Sequence, residues 1–460
     1  MLIPTHQLHT YLTGLVLTFI LSVSISAADE SAEVEVQRPP NILLITADNL
    51  GYGDLGCYGN EIMQTPHLDQ LAREGMRCTS FYTASPTCTV SRATLLTGRY
   101  PQRIGLNHQL SREENYAAGL SLKEKLIPEY LKPLGYRTAC FGKWNIGFGE
   151  GYRPTERGFD TFFGFAAGNI DYYRYVYNGR HDLWRNEEEV FEEGYSTDLF
   201  ADAACEYIEQ ENKRPFFIYL PFNAPHFPSV GNKQPGEPNE WQAPVWAFEK
   251  YNYDPDTDDP QQRYRAVVTA LDAAIGRVLQ QLETSGVAEN TLVIWYSDNG
   301  AFMLKDRGLE VSTNHPLREG GVTLWEGGIR VPCIIRFPGE IKADQVMNDP
   351  FISLDLLPTL VQIAGGSLKG EPQSDGQDVW PLMTGVSSPK NARPFFFEFR
   401  QYSALRQGKY KIIREKPTQD FQLFDLTTDL AESKDLSRQQ PSVRAELVSQ
   451  FEIWKSQFEE

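Results

Sequence analysis

The sequence is poor in the residues that build thiolate and imidazole metal sites. Its 460 residues include six cysteines and seven histidines, and two of the histidines, His6 and His9, lie near the N-terminus. The cysteines are Cys57, Cys78, Cys88, Cys140, Cys205 and Cys333. They form no CxxC pair and no framework spacing, which argues against a thiolate zinc site and leaves disulfide pairing open. The small histidine pool also disfavours a dinuclear zinc site.

Positive charge is scarce as well. Lys and Arg number 43 against 61 Asp and Glu, so the formal net charge is −18. A chain with this balance repels polyanions, and we expect no nucleic-acid partner. An anionic ligand would need cations placed locally at its binding site.

Long apolar runs are also missing. The stretch at residues 12–23 is too short to span a bilayer comfortably, and small residues that suit cleavage follow it. We expect a signal peptide at residues 1–28, a polar linker at 29–40 and export to the periplasm or the exterior, without stable membrane insertion. An uncleaved anchor is the alternative, because no Lys or Arg precedes the apolar stretch.

Apolar runs of strand length are each followed by polar side chains, and helical patterns lie between them. The strand runs are residues 41–46, 136–141, 215–220 and 291–296; the helical patterns are 120–134, 197–212 and 262–285. This alternation predicts an α/β fold with a large, mostly parallel sheet flanked by helices. Because ligands bind beyond the carboxyl ends of parallel strands, the polar clusters should meet on one rim.

After about Gln373 the pattern changes to short strands without intervening helices. The predicted strands are residues 395–399, 409–414 and 421–426, and an apolar stripe at helical spacing follows at Val443, Leu447, Phe451, Trp454 and Phe458. We expect a smaller C-terminal antiparallel sheet plus a closing helix. The domains would be a catalytic domain at 41–373 and an α+β subdomain at 374–460.

The rim would carry a set of oxygen ligands from Asp48, Asn49, Asp298 and Asn299. Hard divalent cations prefer such ligands, and calcium tolerates irregular geometry better than magnesium. Each Asp-Asn pair alone is more typical of a turn or a helix cap. Two pairs on neighbouring strand ends favour a metal site.

Arg92, Lys143 and His226 would add cationic or donor groups to the same rim. Cys88 is predicted at the start of a helix, where unpaired N–H groups and the helix dipole favour an anion. Together with a metal they describe a pocket for a tetrahedral oxyanion with a nucleophile at Cys88. The alternative for Cys88 is a small buried hydrophobic residue.

The motifs occur in the order found in one enzyme family. They are DNLGYGD at 48–54, CTVSR at 88–92, LLTGR at 95–99, GKW at 142–144, NAPH at 223–226, SDNG at 297–300, EGGIRVP at 326–332 and QLFDL at 422–426. From about residue 40 to 436 the chain resembles the formylglycine-dependent, arylsulfatase-like sulfatases of the alkaline phosphatase superfamily. The resemblance implies a sulfuric ester hydrolase acting on an aryl or carbohydrate sulfate.

The resemblance also assigns roles to residues. It implies that a formylglycine-generating maturation enzyme oxidises Cys88, and that the hydrated aldehyde attacks sulfur. One calcium ion would be held by residue 88 and the four Asp and Asn side chains of the rim. Arg92 would hold the hydrate, while Lys143 and His226 would neutralise sulfate oxygens and support the leaving group.

Four positions depart from the family pattern, and all concern the site. Asn49 stands where a second aspartate is usual, Val90 where proline or alanine is usual, Asn145 where a catalytic histidine is usual, and Gly321 where a second substrate-contacting lysine is usual. A catalytically weak relative that binds sulfated glycan is therefore one alternative. A phosphate or phosphonate ester hydrolase is another, since related folds and related formylglycine sites carry out that chemistry. An aromatic stretch could stack on sugar rings or simply pack; it comprises Tyr172, Tyr173, Tyr175, Tyr177 and Trp184.

Overall fold

The computed structural model describes most of the chain in six segments. These are residues 38–111, 117–210, 213–228, 241–303, 310–386 and 392–458. The predicted signal peptide and the predicted linker up to residue 37 lie outside the described residues. Within the described segments, no helix is both long enough and apolar enough to cross a membrane.

Eleven strands of the described residues form the main sheet. In chain order the first thirteen strands are β1 (Asn41–Ala47), β2 (Met76–Tyr82), β3 (Arg137–Lys143), β4 (Thr161–Phe165), β5 (Val176–Tyr177), β6 (Arg180–His181), β7 (Trp184–Arg185), β8 (Glu188–Glu189), β9 (Phe216–Pro221), β10 (Thr291–Ser297), β11 (Arg330–Arg336), β12 (Gln345–Met347) and β13 (Phe351–Ile352). The spatial order is β12-β2-β11-β10-β1-β9-β3-β4-β7-β8, with β13 beside β2 and with β5 and β6 forming a separate pair. Strands β10, β1, β9, β3 and β4 run parallel, while β11 is antiparallel to both of its neighbours.

Helices cover both faces of this sheet. In chain order they are α1 (Pro66–Glu74), α2 (Cys88–Thr97), α3 (Pro101–Ile104), α4 (Ile127–Leu131), α5 (Ser196–Glu209), α6 (Val245–Glu249), α7 (Pro260–Thr284), α8 (Glu326–Ile329), α9 (Leu356–Ile363), α10 (Trp380–Met383) and α11 (Pro441–Lys455). Short 3-10 turns lie at Gly56–Tyr58, Lys132–Leu134, Pro154–Arg157, Ala288–Asn290, Ser353–Asp355 and Ser456–Phe458. This arrangement confirms the predicted α/β fold with a large, mostly parallel sheet.

The four predicted strands are confirmed as β1, β3, β9 and β10. Alternate residues of β1 enter two separate cores, since Leu43 and Ile45 pack with α1, α5 and α7 on one face. Ile42 and Leu44 pack with α2, α4 and α9 on the other. Burial on both faces explains why these strands are continuous apolar runs.

The helix predicted at residues 120–134 is wrong over its first half. Only Ile127–Leu131 is α-helical in this segment. The Glu129 carboxylate accepts the N–H of Leu126 at 2.8 Å, which fixes the helix start, and Pro128 is placed in the first turn, where proline is tolerated. Residues before it run as a loop in which Leu120 and Leu126 are buried and Leu122 is exposed. Their spacing therefore imitated a helical stripe.

The C-terminal part is a four-stranded antiparallel sheet with a closing helix, as predicted. Its strands in order are β14 (Phe395–Phe399), β15 (Tyr402–Gln407), β16 (Tyr410–Arg414) and β17 (Gln422–Asp425). Leu447, Phe451 and Trp454 of α11 are buried in the core that these strands share. Strand β15 was not predicted, because its apolar residues are interrupted by Ser403 and Arg406. The boundary at 373/374 remains a prediction.

Candidate active site

The carboxyl ends of β1, β3, β9 and β10 bring the predicted rim residues together. The N–H of Asp48, just after β1, donates to the carbonyl of Ala224 beyond β9 at 3.0 Å. The N–H of Asp298, just after β10, donates to the carbonyl of Ala47 at 3.0 Å. These bonds extend the parallel pairing past the strand ends. They hold the polar loops in register with the sheet.

Two carboxylates and two cations alternate at the centre of this rim. Lys143 Nζ lies 2.6 Å from Asp48 Oδ2, and the Arg92 guanidinium lies 2.7 Å from Asp298 Oδ2 and 3.9 Å from Asp48 Oδ2. All four side chains are at most 1% exposed. Buried charges persist only when they are paired, so the group forms one electrostatic unit. We call these four residues the charge cluster.

Arg92 is held on its other side by β9 and β3. Its guanidinium donates to the Tyr219 hydroxyl at 3.2 Å and to the Lys143 carbonyl at 3.4 Å. Burial raises the pKa of Tyr219 to about 12, so the phenol stays neutral. These contacts fix the planar guanidinium in one orientation. Tyr219 thus supports the charge cluster from within an apolar strand.

The two asparagines of the rim contact each other and the charge cluster. The N–H of Asn49 donates to Asp298 Oδ1 at 3.1 Å, and Asn299 Nδ2 donates to Asn49 Oδ1 at 2.5 Å. Asn49 has a φ of 64°, in the left-handed region, where asparagine is better tolerated than most residues. The four Asp and Asn side chains among the five predicted metal ligands are therefore adjacent.

The donor set fits a hard cation. Asp48 Oδ1 and Asn299 Oδ1 are buried and have no hydrogen-bond partner within the described part of the chain. A buried oxygen without a partner is costly, and an oxygen-seeking divalent cation would satisfy both. Only two carboxylates, Asp48 and Asp298, belong to this donor set, and the other two donors are amides. The described segments contain no group of three or more His, Cys, Asp or Glu side chains suited to a metal.

Burial raises the pKa of Asp298 to about 6, and the nearby Asp48 carboxylate adds to this rise. A divalent cation at the same place would favour the charged carboxylate and lower that pKa. The electrostatics of the acid pair are therefore incomplete without a cation. This agrees with the oxygens that lack partners.

Cys88 begins α2, as predicted, and is buried against this cluster. Its sulfur accepts hydrogen bonds from Gln109 Nε2 at 3.1 Å and from Asn145 Nδ2 at 3.4 Å. Burial raises the pKa of the Cys88 thiol, and the carboxylates of Asp48 and Asp298 oppose the effect of Lys143. Burial of the thiol thus opposes the anion-favouring effect predicted for the helix start. The unmodified thiol is a poor nucleophile.

His226 lies on the same rim with one nitrogen already used. Its Nδ1 is 2.6 Å from the carbonyl of Phe227, which assigns the proton to Nδ1 and leaves Nε2 as an acceptor. Burial, with the charge of Lys143, lowers the pKa of His226 to about 3. The Tyr172 hydroxyl donates to the His226 carbonyl at 2.8 Å and fixes the backbone. His226 is therefore neutral here.

The motifs and this arrangement coincide with a known family. The sulfatase family model matches residues 40–366, and a model described as N-sulphoglucosamine sulphohydrolase, C-terminal, matches residues 322–457. The chain belongs to the sulfatase family. Its class of activity is thus sulfuric ester hydrolysis, as the sequence resemblance implied.

Relatives of this sulfatase act on several sulfate esters, according to their names. N-acetylgalactosamine-6-sulfatase of Mus musculus is 32% identical over 421 residues, covering 87% of this chain and 76% of the relative. Arylsulfatase A of Homo sapiens is 34% identical over 416 residues, covering 83% and 76%. The solved structure of Ps i-CgsB in complex with k-i-k-neocarrahexaose matches with a TM-score of 0.81 at 30% identity, covering 91% of this chain and 93% of that one.

The phosphonate monoester hydrolase of Agrobacterium radiobacter has the same fold, with a TM-score of 0.63 at 18% identity and coverage of 91% of this chain and 96% of that one. At that identity the similarity concerns the fold alone. It adds nothing specific to the site.

The residues that depart from the sulfatase pattern lie in or beside the site. Asn145 has a φ of 56° and contacts Cys88, and Val90 is buried within α2. Gly321 lies under the ring of Phe302: a Cβ on it would be 2.1 Å from Phe302 Cδ1. The side-chain volume of the usual lysine is therefore filled by an aromatic ring.

Two of the five residues of the aromatic stretch pack inside the protein. Tyr172 and Tyr175 are buried, and the Tyr172 ring stacks on Tyr195 with centroids 5.3 Å apart. Tyr173 is 41% exposed. Packing thus accounts for the two buried tyrosines, and only the more exposed members remain available to a sugar.

Sequence reasoning missed three residues that the structure places at the site, Gln109, Tyr219 and Phe302. Tyr219 lay in an apolar strand run and looked like core. Gln109 and Phe302 lie in loops with no distinguishing pattern. The one signal was for Phe302, since it follows the SDNG motif by two residues.

Proposed function

We propose that this sulfatase hydrolyses carbohydrate sulfate esters with formylglycine formed from Cys88 and one calcium ion. The observation that carries the proposal is the buried charge cluster beside Cys88. One carboxylate oxygen, Asp48 Oδ1, and one amide oxygen, Asn299 Oδ1, have no hydrogen-bond partner there within the described residues. Such a cluster is expensive to bury and serves no packing purpose. It does suit an anionic group bound beside a cation.

Calcium would be held by Asp48, Asn49, Asp298, Asn299 and residue 88, and it would supply positive charge for the sulfate and the nucleophile. Without it, two carboxylates cancel Arg92 and Lys143. With it, the cluster becomes net positive in a protein of net charge −18. This is the local positive field that an anionic substrate requires.

Formylglycine at position 88 would supply a hydrated aldehyde as the nucleophile. Lys143, pinned by Asp48, is a fixed donor for a sulfate oxygen, and Arg92 is held by Asp298 and Tyr219 with no freedom to swing. His226 offers Nε2 as a proton acceptor, since its Nδ1 is committed to a carbonyl. The net reaction adds water across the S–O ester bond and releases an alcohol and sulfate.

A carbohydrate substrate is favoured by what the relatives are named for. One is an N-acetylgalactosamine-6-sulfatase and one solved structure holds a neocarrahexaose, although Arylsulfatase A is also similar. We also propose that the chain is exported to the periplasm or the exterior, where polysaccharides occur. The signal peptide would be removed before residue 29. N-terminal sequencing of the protein from its host tests the cleavage.

The decisive test is turnover together with the state of Cys88. Protein from its own host is digested, and mass spectrometry of the peptide that contains residue 88 distinguishes thiol, aldehyde and hydrate. We expect formylglycine despite Val90, hydrolysis of an aryl sulfate and a sulfated oligosaccharide, and much slower hydrolysis of an aryl phosphate. Cys88→Ala should abolish turnover, while Cys205→Ala, a half-buried cysteine on α5, should not.

Each alternative has its own outcome in this test. Faster hydrolysis of the phosphate would favour the phosphate or phosphonate ester hydrolase. Fully modified protein that binds sulfated glycan with calcium and never cleaves it would favour a binding relative. A residue 88 that remains entirely thiol would overturn the mechanism.

Asp298→Ala tests the metal site. Calcium should raise the unfolding temperature of the wild-type protein and not of this variant, because only the intact folded site binds the ion. Asp202→Ala, at an exposed carboxylate of α5, is the matched control and should keep the calcium response. Asp298→Asn keeps the shape if the alanine variant folds poorly.

A further inference from the structure

We propose that Gln109 is a further catalytic residue, whose side-chain amide acts with that of Asn145 to hold the nucleophilic head group of residue 88. The inference rests on the proposed function. It assigns a role to a loop residue that carries no motif. Gln109 comes from the loop that follows α3.

Both ends of the Gln109 amide are engaged. Its Oε1 accepts the backbone N–H of Thr89 at 3.3 Å, and its Nε2 donates to Cys88 Sγ at 3.1 Å. A backbone N–H can only donate, so the oxygen must face Thr89 and the NH₂ must face residue 88. Thr89 lies in the first turn of α2, where N–H groups have no partner within the helix. Gln109 therefore uses the helix start as an anchor.

The loop around Gln109 is tied to the same helix. The N–H of Leu110 donates to the Thr89 hydroxyl at 3.3 Å, which fixes the backbone beside the amide. Gln109 itself is exposed, although its amide reaches the buried sulfur. It therefore covers residue 88 from the solvent side.

Asn145 supplies the second amide. Its Nδ2 donates to Cys88 Sγ at 3.4 Å, while its Oδ1 is buried and has no partner in the described segments. A Cβ on Gly168 would lie 3.7 Å from both Asn145 Oδ1 and Gln109 Nε2, so the two amides lie side by side under this glycine. Residue 88 thus faces two N–H donors and one free acceptor.

This set of partners suits a hydroxylated group better than a thiol. Sulfur is a weak acceptor, so the two amide donors gain little from Cys88. A hydrate offers oxygen acceptors to both N–H groups and an O–H donor to Asn145 Oδ1. Neither amide ionises, so together they orient the nucleophile and leave proton transfer to another group.

Two substitutions separate catalysis from structure. Gln109→Glu keeps the acceptor for Thr89 and nearly the same shape, but it removes the N–H donor to residue 88. Gln109→Leu removes both bonds. Asn107→Ala, at an exposed position of the same loop, is the matched control. The conversion of residue 88 is measured by mass spectrometry in each variant, and rates are expressed per converted molecule.

We expect kcat for an aryl sulfate to fall about a hundredfold in both Gln109 variants, as for loss of one donor to the reacting group. KM should change little, and Asn107→Ala should match the wild type. For Gln109→Glu, the ratio of its kcat to that of the wild type should rise as pH falls below about 5, because a protonated carboxyl donates again.

A merely structural Gln109 predicts the opposite pattern. Gln109→Glu, with its bond to Thr89 intact, would then retain near wild-type kcat at all pH values, and the inference would be overturned while the proposed function stands. A wild-type protein without formylglycine and without sulfate turnover would instead overturn the proposed function itself. The two failures are therefore distinguishable.

Discussion

At the scale of single residues, the Phe302 ring beside His226 occupies the space that a side chain at Gly321 would need. A Cβ on Gly321 would lie 2.1 Å from Phe302 Cδ1 and 2.3 Å from Cε1. The Phe302 ring meets His226 edge-on, with centroids 6.2 Å apart. The usual lysine of the family and this ring cannot occupy the pocket together. On the assignment that the resemblance implies for Gly321, an apolar ring stands here in place of a charge.

Restoring the lysine should therefore require removal of the ring. Gly321→Lys alone is expected to destabilise the fold by about 1–3 kcal/mol through overpacking and to leave aryl-sulfate turnover no higher. Phe302→Ala/Gly321→Lys should exceed Phe302→Ala in turnover and be more stable than Gly321→Lys alone, but less stable than Phe302→Ala, because a Cβ at residue 321 would also lie 2.6 Å from the Gly300 carbonyl oxygen. Thermal unfolding and kcat measure both. Higher turnover and unchanged stability in Gly321→Lys alone would contradict the prediction, because they would mean that the Phe302 ring can move aside without cost.

Asn49 makes a second prediction at this scale. Asn49→Asp adds a charged ligand without new backbone strain, since aspartate also tolerates the left-handed region. Calcium should bind about tenfold more tightly, because ligand charge tunes calcium affinity. Asn178→Asp, at a φ of 47° in an exposed turn, is the control. Calcium titrations followed by thermal shift compare them, and equal affinities would place Asn49 outside the calcium shell.

At the scale of elements, α7 caps the start of α1. Asp272 of α7 accepts the N–H groups of His67 at 3.1 Å and Leu68 at 2.8 Å. Burial raises the pKa of Asp272 from 3.8 to about 7. Two helices are thus joined through a carboxyl that titrates near neutral pH. The joint links helix capping to the pH dependence of stability.

The sign of that dependence follows from the raised pKa. Between pH 4 and 7 the folded protein keeps a proton on Asp272 that the unfolded chain has released, so this group loses stabilising effect as pH rises. At about 1.36 kcal/mol per pKa unit, the change is about 4 kcal/mol at most. Asp272→Asn should flatten the pH dependence of the unfolding free energy across this range. Parallel curves for variant and wild type, from denaturant titrations, would contradict the prediction.

At the scale of the whole molecule, a buried charge triad joins the C-terminal sheet to the catalytic part. Lys411 of β16 lies 3.0 Å from Glu326 and 2.8 Å from Glu432, and all three side chains are inaccessible to solvent. Glu326, which begins α8, also accepts the hydroxyl of Tyr82 on β2 at 2.5 Å. Glu326, the first residue of the EGGIRVP motif, therefore links the C-terminal sheet to the main sheet.

Lys411→Met should destabilise the fold strongly. Within the described residues, it leaves the buried Glu432 carboxylate without its cation and Glu326 with only Arg330 at 3.4 Å, and a broken buried pair costs about 3–5 kcal/mol. Lys409→Met, which removes a half-exposed ammonium group from beside Asp425, is the control and should cost much less stability. Urea unfolding of both variants measures the difference. Equal midpoints would mean that the triad contributes no more than a surface pair.

Much of this architecture is readable from the chain. Strands buried on both faces must be apolar runs, and parallel strands end on one rim, so the positions of Asp48, Lys143 and Asp298 followed from pattern alone. The closing helix followed from its apolar spacing in the same way. The motifs indicated the family because each is a short, local stretch of sequence and all of them occur in the family's order along the chain.

Only the tertiary structure decided which groups pair. Arg92 with Asp298, Gln109 with Cys88 and Phe302 with Gly321 are contacts whose partners are set by packing between separate loops. The sequence also favoured a helix over residues 120–134, because loop residues that face a core can share helical spacing. The neutral thiol and neutral imidazole likewise depend on burial, which arises only when the elements have assembled around them.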